Sequence, residues 1–503
     1  MWTARSTSLL RGAIMRRVPR SRLHARALSV TSTADAVKTG SLANAAASTT
    51  LDDRETADPL EDHSSNYQLV IVGTGWAGYQ MFTQCKKHRR DIELAVGKPV
   101  DIVVVSKRNH FLYTPLLAST TVGTLEFRSI IEPLRDSMFR HENDFHCANV
   151  KRIDPIEKKL HVESEISQRA YPVRYDTLVL ACGARPLTFG LPGVEENAFF
   201  LKEVHHARRI RNRILENFEM ATQPGVSADE KRQLLHFVVV GGGPTGIEFC
   251  AELYDFLQQD LVHIYPQTSK YLCVTLLDSG DILTGFDAYL RQFALRKITA
   301  RKNMKIVKQN CIEVTKDSVT LKDGTKIPCG LVVWTAGVGP NDLTKSITVF
   351  DKSKRGNILT NEFCQVLGAP EVEPQAPFGM PLRSNVFSIG DCAEIDGYAL
   401  PATAQKAQSQ ANYLTSLLRG NAPALPYRFH NKGMMAYLGS YEGLFELKKP
   451  RDDGSALAKL HGWKAWFLWR SAYLTKLGSW RLRLQVPLDW LKAMVVGRDV
   501  SRF

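Results

Sequence analysis

The sequence lacks the short cysteine spacings on which redox-active disulfides and zinc ribbons are built. Nine cysteines are spread over 503 residues, and none is followed by another cysteine three or five positions later. This argues against a C-x-x-C centre, and we expect no metal site. A run of about 18 or more apolar residues is also missing, so we do not expect a membrane-spanning helix.

Acidic residues are missing from the N-terminal stretch, where the first one is Asp35. The same stretch carries seven arginines between Arg5 and Arg26, among many Ser, Thr and Ala residues. This composition is typical of an organellar transit peptide, and the alternative is a basic arm that binds nucleic acid. We assign residues 1–50 to a transit peptide and 51–66 to a linker. The remaining chain, in a sequence with 44% apolar residues and a net charge of +14, can bury a large core and attract an anionic partner.

Two stretches predict dinucleotide-binding turns, because in each an apolar strand runs into Gly-x-Gly-x-x-Gly and then into a helix. The first is YQLVIVGTGWAGY, with Gly73, Gly75 and Gly78. In such a turn the glycines permit the sharp bend, the close approach of a pyrophosphate and the close packing of the helix. The next strand, VDIVVVSKRN, ends in Ser106 and Lys107 where a ribose-binding acid is usual, although a hydroxyl can still bond the ribose.

The second stretch is HFVVVGGGPTGIEF, with Gly241, Gly243 and Gly246. Its following strand, LCVTLLDSG, ends at Asp278, which can accept bonds from both ribose hydroxyls. A carboxylate there repels a 2′-phosphate by about 4 kcal/mol at roughly 4 Å in a surface-like dielectric. We therefore predict a preference for NADH over NADPH; the alternative is a simple turn residue.

Each half also contains an apolar strand that is followed by a glycine. The first is LVLACGA with Gly183, and the second is VVWTAGV with Ala336 and Gly337. We call these two strand ends the strand exits. An apolar segment containing Thr114 and Pro115 could line a flat ring system in the first half, unless it is an ordinary core loop. A later strand, NVFSIGDCA, suggests that the chain returns to the first half. The carboxylate in that strand, Asp391, would then meet the ribityl or phosphate part of the first nucleotide.

These motifs resemble, in this order, the type II (alternative) NADH dehydrogenases of mitochondria and bacteria. The resemblance also includes FLYTPLLASTTVGTLEF, FLKEV and LPATAQKAQ, and runs from about residue 66 to the C-terminus. It implies an α/β fold with two Rossmann-type domains, non-covalent FAD in the first, NADH as substrate in the second, and ubiquinone as acceptor. The implied reaction is rotenone-insensitive and does not pump protons, and the hydride step needs no catalytic side chain. The implied location is the surface of the inner mitochondrial membrane, on a side that the sequence does not specify.

The resemblance assigns residues to each ligand. FAD would be held by Gly73, Gly75, Trp76, Ala77, Gly78, Ser106, Lys107, Thr114, Pro115, Gly183 and Asp391. NADH would be held by Gly241, Gly243, Pro244, Thr245, Gly246, Glu248, Asp278, Ala336 and Gly337. For the quinone, Gln405 matches the first glutamine of a family motif, and Ser409 stands where the family has the second. We expect Gln405, Gln408 and Tyr437 to line the quinone pocket; a solvent-facing polar helix is the alternative for the glutamines.

The implied domains are FAD-binding at 67–204 and 351–424, the latter with the quinone-site helix, NADH-binding at 205–350, and a C-terminal region at 425–503. From His461 onward, aromatic and aliphatic residues recur at helical spacing with interleaved Lys and Arg, which is typical of a helix lying in a membrane interface. The alternative is a helix packed on the protein's own core, and a homodimer through this segment is left open. The residues expected to face the interface are Trp463, Trp466, Phe467, Tyr473, Leu474, Leu477, Leu488, Trp490, Leu491, Met494 and Val495.

Three other functions remain open. A disulfide reductase would need a redox-active cysteine pair beside the flavin, and a sulfide:quinone reductase would also use cysteines. An NADH-sensing flavoprotein that docks partner proteins would need neither the cysteines nor the quinone site.

Overall fold

The computed structural model describes residues 65–137, 139–370, 384–420, 425–448 and 456–502. The expected transit peptide and all but the last two residues of the expected linker lie outside the described residues. Residues 65–503 belong to one compact unit.

The first α/β unit contains a mixed sheet whose central strands are parallel, buried and rich in Val, Ile and Leu. All seven residues of Val100–Ser106 are buried, as is usual for a strand covered by chain on both faces. The elements of this part of the chain are β1 (Tyr67–Val72), α1 (Trp76–Lys87), α2 (Arg89–Val96), β2 (Val100–Ser106), β3 (His110–Leu112), α3 (Leu117–Thr120), β4 (Ile131–Pro133), β5 (Phe145–Asp154), β6 (Lys159–Ser164), β7 (Ala170–Arg174), β8 (Thr177–Leu180), β9 (Ala184–Pro186), α4 (Val194–Asn197) and β10 (Phe199–Phe200).

The second unit repeats the strand–turn–helix–strand order. Its elements are α5 (Val204–Thr222), α6 (Ala228–Leu234), β11 (His236–Val240), α7 (Pro244–Phe256) continued by a π turn (Leu257–Leu261), α8 (Val262–Ile264), β12 (Cys273–Asp278), α9 (Ala288–Thr299), β13 (Met304–Lys308), β14 (Cys311–Val314), β15 (Ser318–Leu321), β16 (Lys326–Pro328), β17 (Leu331–Trp334), β18 (Val338–Pro340) and α10 (Asp342–Ser346). Strands β10, β17, β11, β12 and β13 form a five-stranded parallel sheet in that order.

The chain then returns to the first sheet. Its next elements are β19 (Ile358–Thr360), β20 (Val386–Ser388), β21 (Ala393–Ile395) and α11 (Ala404–Leu418). Strand β20 pairs in parallel with β8, which completes the sheet order β20-β8-β1-β2-β5-β6-β7. Helix α11 packs against α1, so the helix that follows the first glycine turn is covered by the returning chain.

The C-terminal part is a three-stranded antiparallel sheet followed by two helices. Its elements are β22 (Met434–Gly439), β23 (Glu442–Lys448), β24 (Ala456–Gly462), α12 (Trp463–Lys476) and α13 (Trp480–Val495). Strand β22 packs on α7, so this region rests on the second nucleotide-binding unit. Among the helices of the described residues, none combines the length and the apolar character needed to cross a membrane.

Candidate functional site

The first glycine turn has a backbone that only glycine can adopt at two positions. Gly73 has a φ of +106°, and a Cβ there would stand 2.4 Å from the carbonyl oxygen of Ala181. A Cβ on Gly78 would stand 1.9 Å from the carbonyl oxygen of Gly73. Helix α1 begins after Gly75 without a side-chain cap, so its first N–H groups are available to an anion.

The residues around this turn fit FAD. The Oδ1 atom of Asp391 is buried and has no hydrogen-bond partner among the described residues, so a sugar hydroxyl would satisfy it. The turn that carries Asp391 is held by Gln410, whose Oε1 accepts the N–H of Gly390 at 2.8 Å. Sequence reasoning missed Gln410, although it directly follows the departure at Ser409. Its side chain is 1% exposed.

An aromatic wall stands beside the two residues expected near the flavin ring. The indole N–H of Trp76 donates to Thr114 Oγ1 at 2.9 Å, and Pro115 follows in the same short turn. The ring of Trp76 is perpendicular to those of Phe111 and Tyr113, with centroids 5.0 and 5.8 Å away. The wall fixes Thr114 next to the helix that begins at the glycine turn.

The end of β2 is arranged differently from the sequence expectation. The Ser106 hydroxyl is buried 2.9 Å from Thr74 Oγ1 and accepts the N–H of Arg108 at 3.2 Å, while Lys107 is exposed. The guanidinium of Arg108 pairs with Glu203 at 2.7 Å and reaches to 3.9 Å from the Cβ position of Gly75. Arg108 is therefore a cation at the pyrophosphate turn that sequence reasoning passed over, although it directly follows Lys107.

The second glycine turn repeats the first. Gly241 has a φ of +115°, and a Cβ on Gly246 would stand 1.9 Å from the Gly241 carbonyl oxygen. Asp278, at the end of β12, accepts the N–H of Gly242 at 2.5 Å and that of Gly280 at 2.7 Å. The carboxylate thus lies against the turn. Exposed residues follow Gly242 at the start of α7, namely Gly243, Pro244 and Thr245.

Glu248 lies one turn further along α7 and faces the C-terminal region. Its Oε1 accepts the N–H of Tyr437 at 3.2 Å and the indole N–H of Trp469 at 3.3 Å. Burial raises the pKa of Glu248 to about 8, against the opposing effect of these two donors. Glu248 thus links α7 to the C-terminal region.

The two strand exits meet in space. Strand β9 follows Gly183 and pairs with β18, which follows Gly337, so that Ala184–Pro186 lies against Val338–Pro340. The side chain of Asn341 donates to the carbonyl oxygen of Gly183 at 3.1 Å, and Gly183 and Gly337 have φ values of +69° and +76°. Ala336 precedes the second exit. Both exits are therefore placed side by side between the two sheets.

Two cysteines distant in sequence also meet at this place. The interaction between the side chains of Cys182 and Cys392 lowers the pKa of Cys182 and raises that of Cys392. Both thiols are free, and Cys392 is buried. Sequence spacing could not predict the pair of Cys182 and Cys392, because the two residues are far apart in the chain and no local pattern marks them.

The three residues expected at the quinone have protein partners of their own or are partly exposed. The Gln405 amide donates to the Gly433 carbonyl at 2.9 Å and accepts the Lys432 N–H at 3.0 Å. The Tyr437 hydroxyl donates to Asp255 Oδ2 at 2.9 Å. Gln408 is partly exposed on α11. Gln405 thus fixes the loop before β22, and Tyr437 is buried with its ring against Trp469 and its hydroxyl on Asp255.

The last helix is apolar on two opposite faces. Its inner face packs into the core through Leu482, Val486 and Trp490, which are at most 5% exposed. Its outer face carries a stripe of exposed side chains, which we call the outer stripe: Trp480, Leu484, Leu488, Leu491 and Val495. On α12, Trp463 and Phe467 are also exposed, at 67% and 63%.

The expectation for this region was wrong at Leu477 and Trp490, and three further residues expected at the interface, Trp466, Tyr473 and Leu474, are partly buried against the core. Leu477 and Trp490 were expected to face a membrane, but they are 1% and 5% exposed. Helical spacing alone could not separate the two faces, because both are apolar. Among the described residues, no three His, Cys, Asp or Glu side chains come together in a way that could hold a metal ion.

Two glycine turns on two parallel sheets, joined through their exits, define the class of two-nucleotide flavoprotein oxidoreductases. The family described as pyridine nucleotide-disulphide oxidoreductase matches residues 67–411, and the family described as NDH2 C-terminal domain matches residues 431–499. An internal alternative NAD(P)H-ubiquinone oxidoreductase of Arabidopsis thaliana is 38% identical over 86% of this chain and 85% of its own length. A probable NADH dehydrogenase of Dictyostelium discoideum is 40% identical over 87% of this chain and 92% of its own. The chain belongs to the type II (alternative) NADH dehydrogenase family.

A solved structure has the same fold. It is the NDH2 of Plasmodium falciparum in complex with NADH, with a TM-score of 0.74 over 87% of this chain and 100% of that one, at 22% identity.

Proposed function

We propose that this protein oxidises NADH and reduces ubiquinone through bound FAD, without pumping protons, at a mitochondrial membrane. The observation that supports this most directly is the pairing of β9 with β18, which brings the two strand exits side by side. FAD, when bound, accepts the hydride of NADH and passes two electrons to the quinone. The chain itself binds and orients the partners.

The roles of individual residues follow from the geometry. Gly73, Gly75 and Gly78 leave room for the pyrophosphate, with Arg108 as a neighbouring cation. Asp391 supplies an unpartnered oxygen to the sugar-like part of FAD. On the other side, Asp278 accepts ribose hydroxyls of NADH. Trp76, Ala77, Ser106, Lys107, Thr114, Pro115 and Gly183 complete the FAD site, and Gly241, Gly243, Pro244, Thr245, Gly246, Glu248, Ala336 and Gly337 complete or support the NADH site.

We propose that the quinone enters beside α11, along Gln405, Gln408 and Tyr437, from a membrane that contacts the outer stripe. Exposed basic residues occur on both helices, with Lys492 on α13 and Lys464 on α12. Basic residues near an anionic surface add about 1 kcal/mol each, and buried apolar side chains add to this. The same surface would serve for dimerisation if a second copy covered it.

The decisive experiment mixes the purified protein with NADH and a short-chain quinone and follows absorbance at 340 nm. We expect rapid, rotenone-insensitive turnover by a yellow protein. A colourless or inert protein would contradict the proposal. In proteoliposomes we expect the reaction to proceed without acidification, and NADH-driven proton translocation would overturn that part.

The same assay separates the alternatives. An NADH sensor would show flavin reduction without turnover. Because Cys182 and Cys392 interact, the thiol-dependent alternatives can also be tested. A sulfide:quinone reductase or a disulfide reductase would lose activity when Cys182 and Cys392 are both replaced by serine. We expect the double serine variant to keep its NADH–quinone turnover.

Attachment to the membrane is tested on the outer stripe. Leu484→Asp with Leu488→Asp should release the protein from anionic liposomes in a flotation assay, because two charges would enter the apolar interface. The control is Ile156→Asp with Ile166→Asp, at residues that are 79% and 83% exposed in the first unit. If the Leu484→Asp, Leu488→Asp variant still floated with liposomes but no longer formed a dimer, the outer stripe would be a dimer surface.

A further inference from the structure

The chain returns to the middle of the molecule after the last helix. Gly497 has a φ of +92°, and a Cβ there would stand 2.9 Å from Asp260 Oδ1. This brings in Arg498, whose side chain is 8% exposed. Its guanidinium donates to Asp260 Oδ2 at 2.8 Å, to Thr124 Oγ1 at 2.8 Å and to Gln259 Oε1 at 3.1 Å. The charge-assisted hydrogen bonds to these three partners fix the position of the buried Arg498 side chain.

Arg498 is also a counter-charge for a buried acid of α7. The carboxylate of Glu252 is 3.9 Å from the Arg498 guanidinium and accepts the hydroxyls of Ser119 at 2.7 Å and Thr124 at 2.9 Å. Burial raises the pKa of Glu252, and Arg498 opposes that rise. Without Arg498, Glu252 would lose its ion-pair partner, and only the more distant charge of Arg470 would oppose its burial.

The next residue adds a third contact. The carbonyl oxygen of Asp499 accepts from Arg211 Nη2 at 2.6 Å, and its carboxylate lies 3.3 Å from the same nitrogen. A Cβ on Gly123 would stand 3.2 Å from that carbonyl oxygen. The tail therefore passes between α5, α7 and the segment around Gly123.

These contacts join three parts of the molecule that the reaction must keep in register. Ser119 and Thr124 belong to the segment that follows Thr114 and Pro115 on the flavin side. Glu252 lies on the helix that begins at the NADH turn, with Asp260 in the π turn that continues it. Arg498 comes from the end of the C-terminal region.

We propose that residues 497–499 form a latch that holds the NADH-binding helix α7 against the flavin-side segment 117–126. The inference rests on the proposed function and makes Arg498 a positioning residue for NADH oxidation. Reactions between two bound partners can lose about a hundredfold in rate when one is displaced by about 1 Å. A latch that contacts both α7 and segment 117–126 can therefore influence the rate of the NADH half-reaction.

The test compares Arg498→Ala with Arg502→Ala, because Arg502 lies in the same tail but is 62% exposed and pairs only at the surface with Glu216. For Arg498→Ala we expect kcat/KM for NADH to fall at least tenfold, while KM for the quinone, liposome binding and flavin content stay unchanged. Hydrogen exchange in segment 117–126 should rise. Arg498→Lys should recover part of the rate, and Arg502→Ala should match the unchanged protein in all readouts.

The outcomes separate this inference from the function on which it rests. If the unchanged protein does not oxidise NADH, the proposed function fails. If it does, and Arg498→Ala loosens segment 117–126 without slowing NADH oxidation, the latch is only structural and the inference is wrong. Should Arg498→Ala fail to fold, Thr124→Val removes one hydroxyl that contacts both Arg498 and Glu252, and a smaller loss of kcat/KM for NADH is expected. An unchanged kcat/KM in Thr124→Val would then reject the latch.

Discussion

The two glycine turns have nearly the same backbone but different neighbours. In each, the first glycine has a φ above +100°, and a Cβ on the third glycine would stand 1.9 Å from the carbonyl oxygen of the first. At the end of the next strand, however, the first unit has Ser106 and the second has Asp278, at equivalent positions of the strand pairing. Two residues beyond the third glycine, the first unit has Gln80 and the second has Glu248.

We infer that the difference separates a site for a resident cofactor from a site for an exchanging substrate. The first turn is covered by the returning chain, in which Gln410 holds the Asp391 turn and α11 packs on α1. Gln80 takes part in this cover, since its amide donates to Asn412 of α11 at 2.8 Å. The second turn keeps its first helical residues exposed, and its helix is instead tied to the C-terminal region through Glu248. The same glycine turn can therefore hold a retained cofactor or an exchanging substrate, depending on which part of the chain covers it.

The largest effect is expected from adding one methyl group to either turn. Gly78→Ala should give a largely colourless protein, and Gly246→Ala a yellow protein with a strongly reduced kcat/KM for NADH. Each new Cβ would clash with a backbone oxygen, and overpacking costs about 1–3 kcal/mol or more, which corresponds to roughly 10- to 100-fold in affinity. Absorbance at 450 nm and NADH titration measure the two losses. Equal flavin loss in both variants would remove the distinction between a retaining and an exchanging site.

The two glycine turns are also where sequence reasoning worked best. A turn with positive φ and no room for a Cβ imposes glycine at fixed spacing, so a local pattern suffices to find it. The return of the chain at β20 was also predicted from a strand ending in Gly-Asp, and its pairing with β8 confirms it.

Contacts between distant parts of the chain were not predictable in this way. Arg498 and Glu252 come together across the whole second unit, and Cys182 meets Cys392 from the opposite end of the first unit. Helix α13 shows the limit of periodicity, since its inward Trp490 and outward Leu488 belong to two equally apolar faces. Only the packing partner decides which face is buried.

A second prediction makes the NADH turn more like the FAD turn. Asp278→Ser removes the carboxylate that accepts the Gly242 N–H and would face a 2′-phosphate. Removing a repulsion of up to about 4 kcal/mol should shift the ratio of kcat/KM for NADH over NADPH toward NADPH by roughly 10- to 100-fold. Steady-state kinetics with both nucleotides measure the shift. An unchanged ratio would mean that Asp278 only shapes the turn, and Asp281→Ser, at an exposed neighbouring acid, is the control.

A third prediction loosens the cover of the first turn. Asp391→Asn keeps an acceptor at the buried, unpartnered position but removes its charge. Losing the charge-assisted part of a hydrogen bond, on the order of 1 kcal/mol, should weaken FAD binding by roughly fivefold. Reconstitution of the apoprotein with FAD measures the dissociation constant. If FAD binding were unchanged while NADH kinetics changed, Asp391 would belong to the exchanging site instead.

The smallest effect concerns the residue that ties the second helix to the C-terminal region. Glu248 has a pKa raised to about 8 by burial, so the folded state favours its protonated form. Its contribution to stability is therefore complete below the ordinary carboxyl range near pH 4.5 and is lost as pH rises through about 8. Glu248→Gln, which copies Gln80 of the first unit, does not titrate. Its melting temperature relative to the unchanged protein should therefore increase between pH 5 and pH 9, by a few degrees.

Glu230→Gln is the matched control for this measurement. Glu230 is exposed, and hydrogen bonds from the backbone and side chain of Ser227 lower its pKa. Its stabilising effect is thus already complete above the ordinary carboxyl range, so the melting difference for this variant should stay flat from pH 6 to pH 9. A flat difference for Glu248→Gln as well would show that Glu248 is ionised in the folded protein. Helix α7 would then be linked to the C-terminal region by an ionised carboxylate. Glu248 and Gln80 would differ in charge as well as in their packing partners.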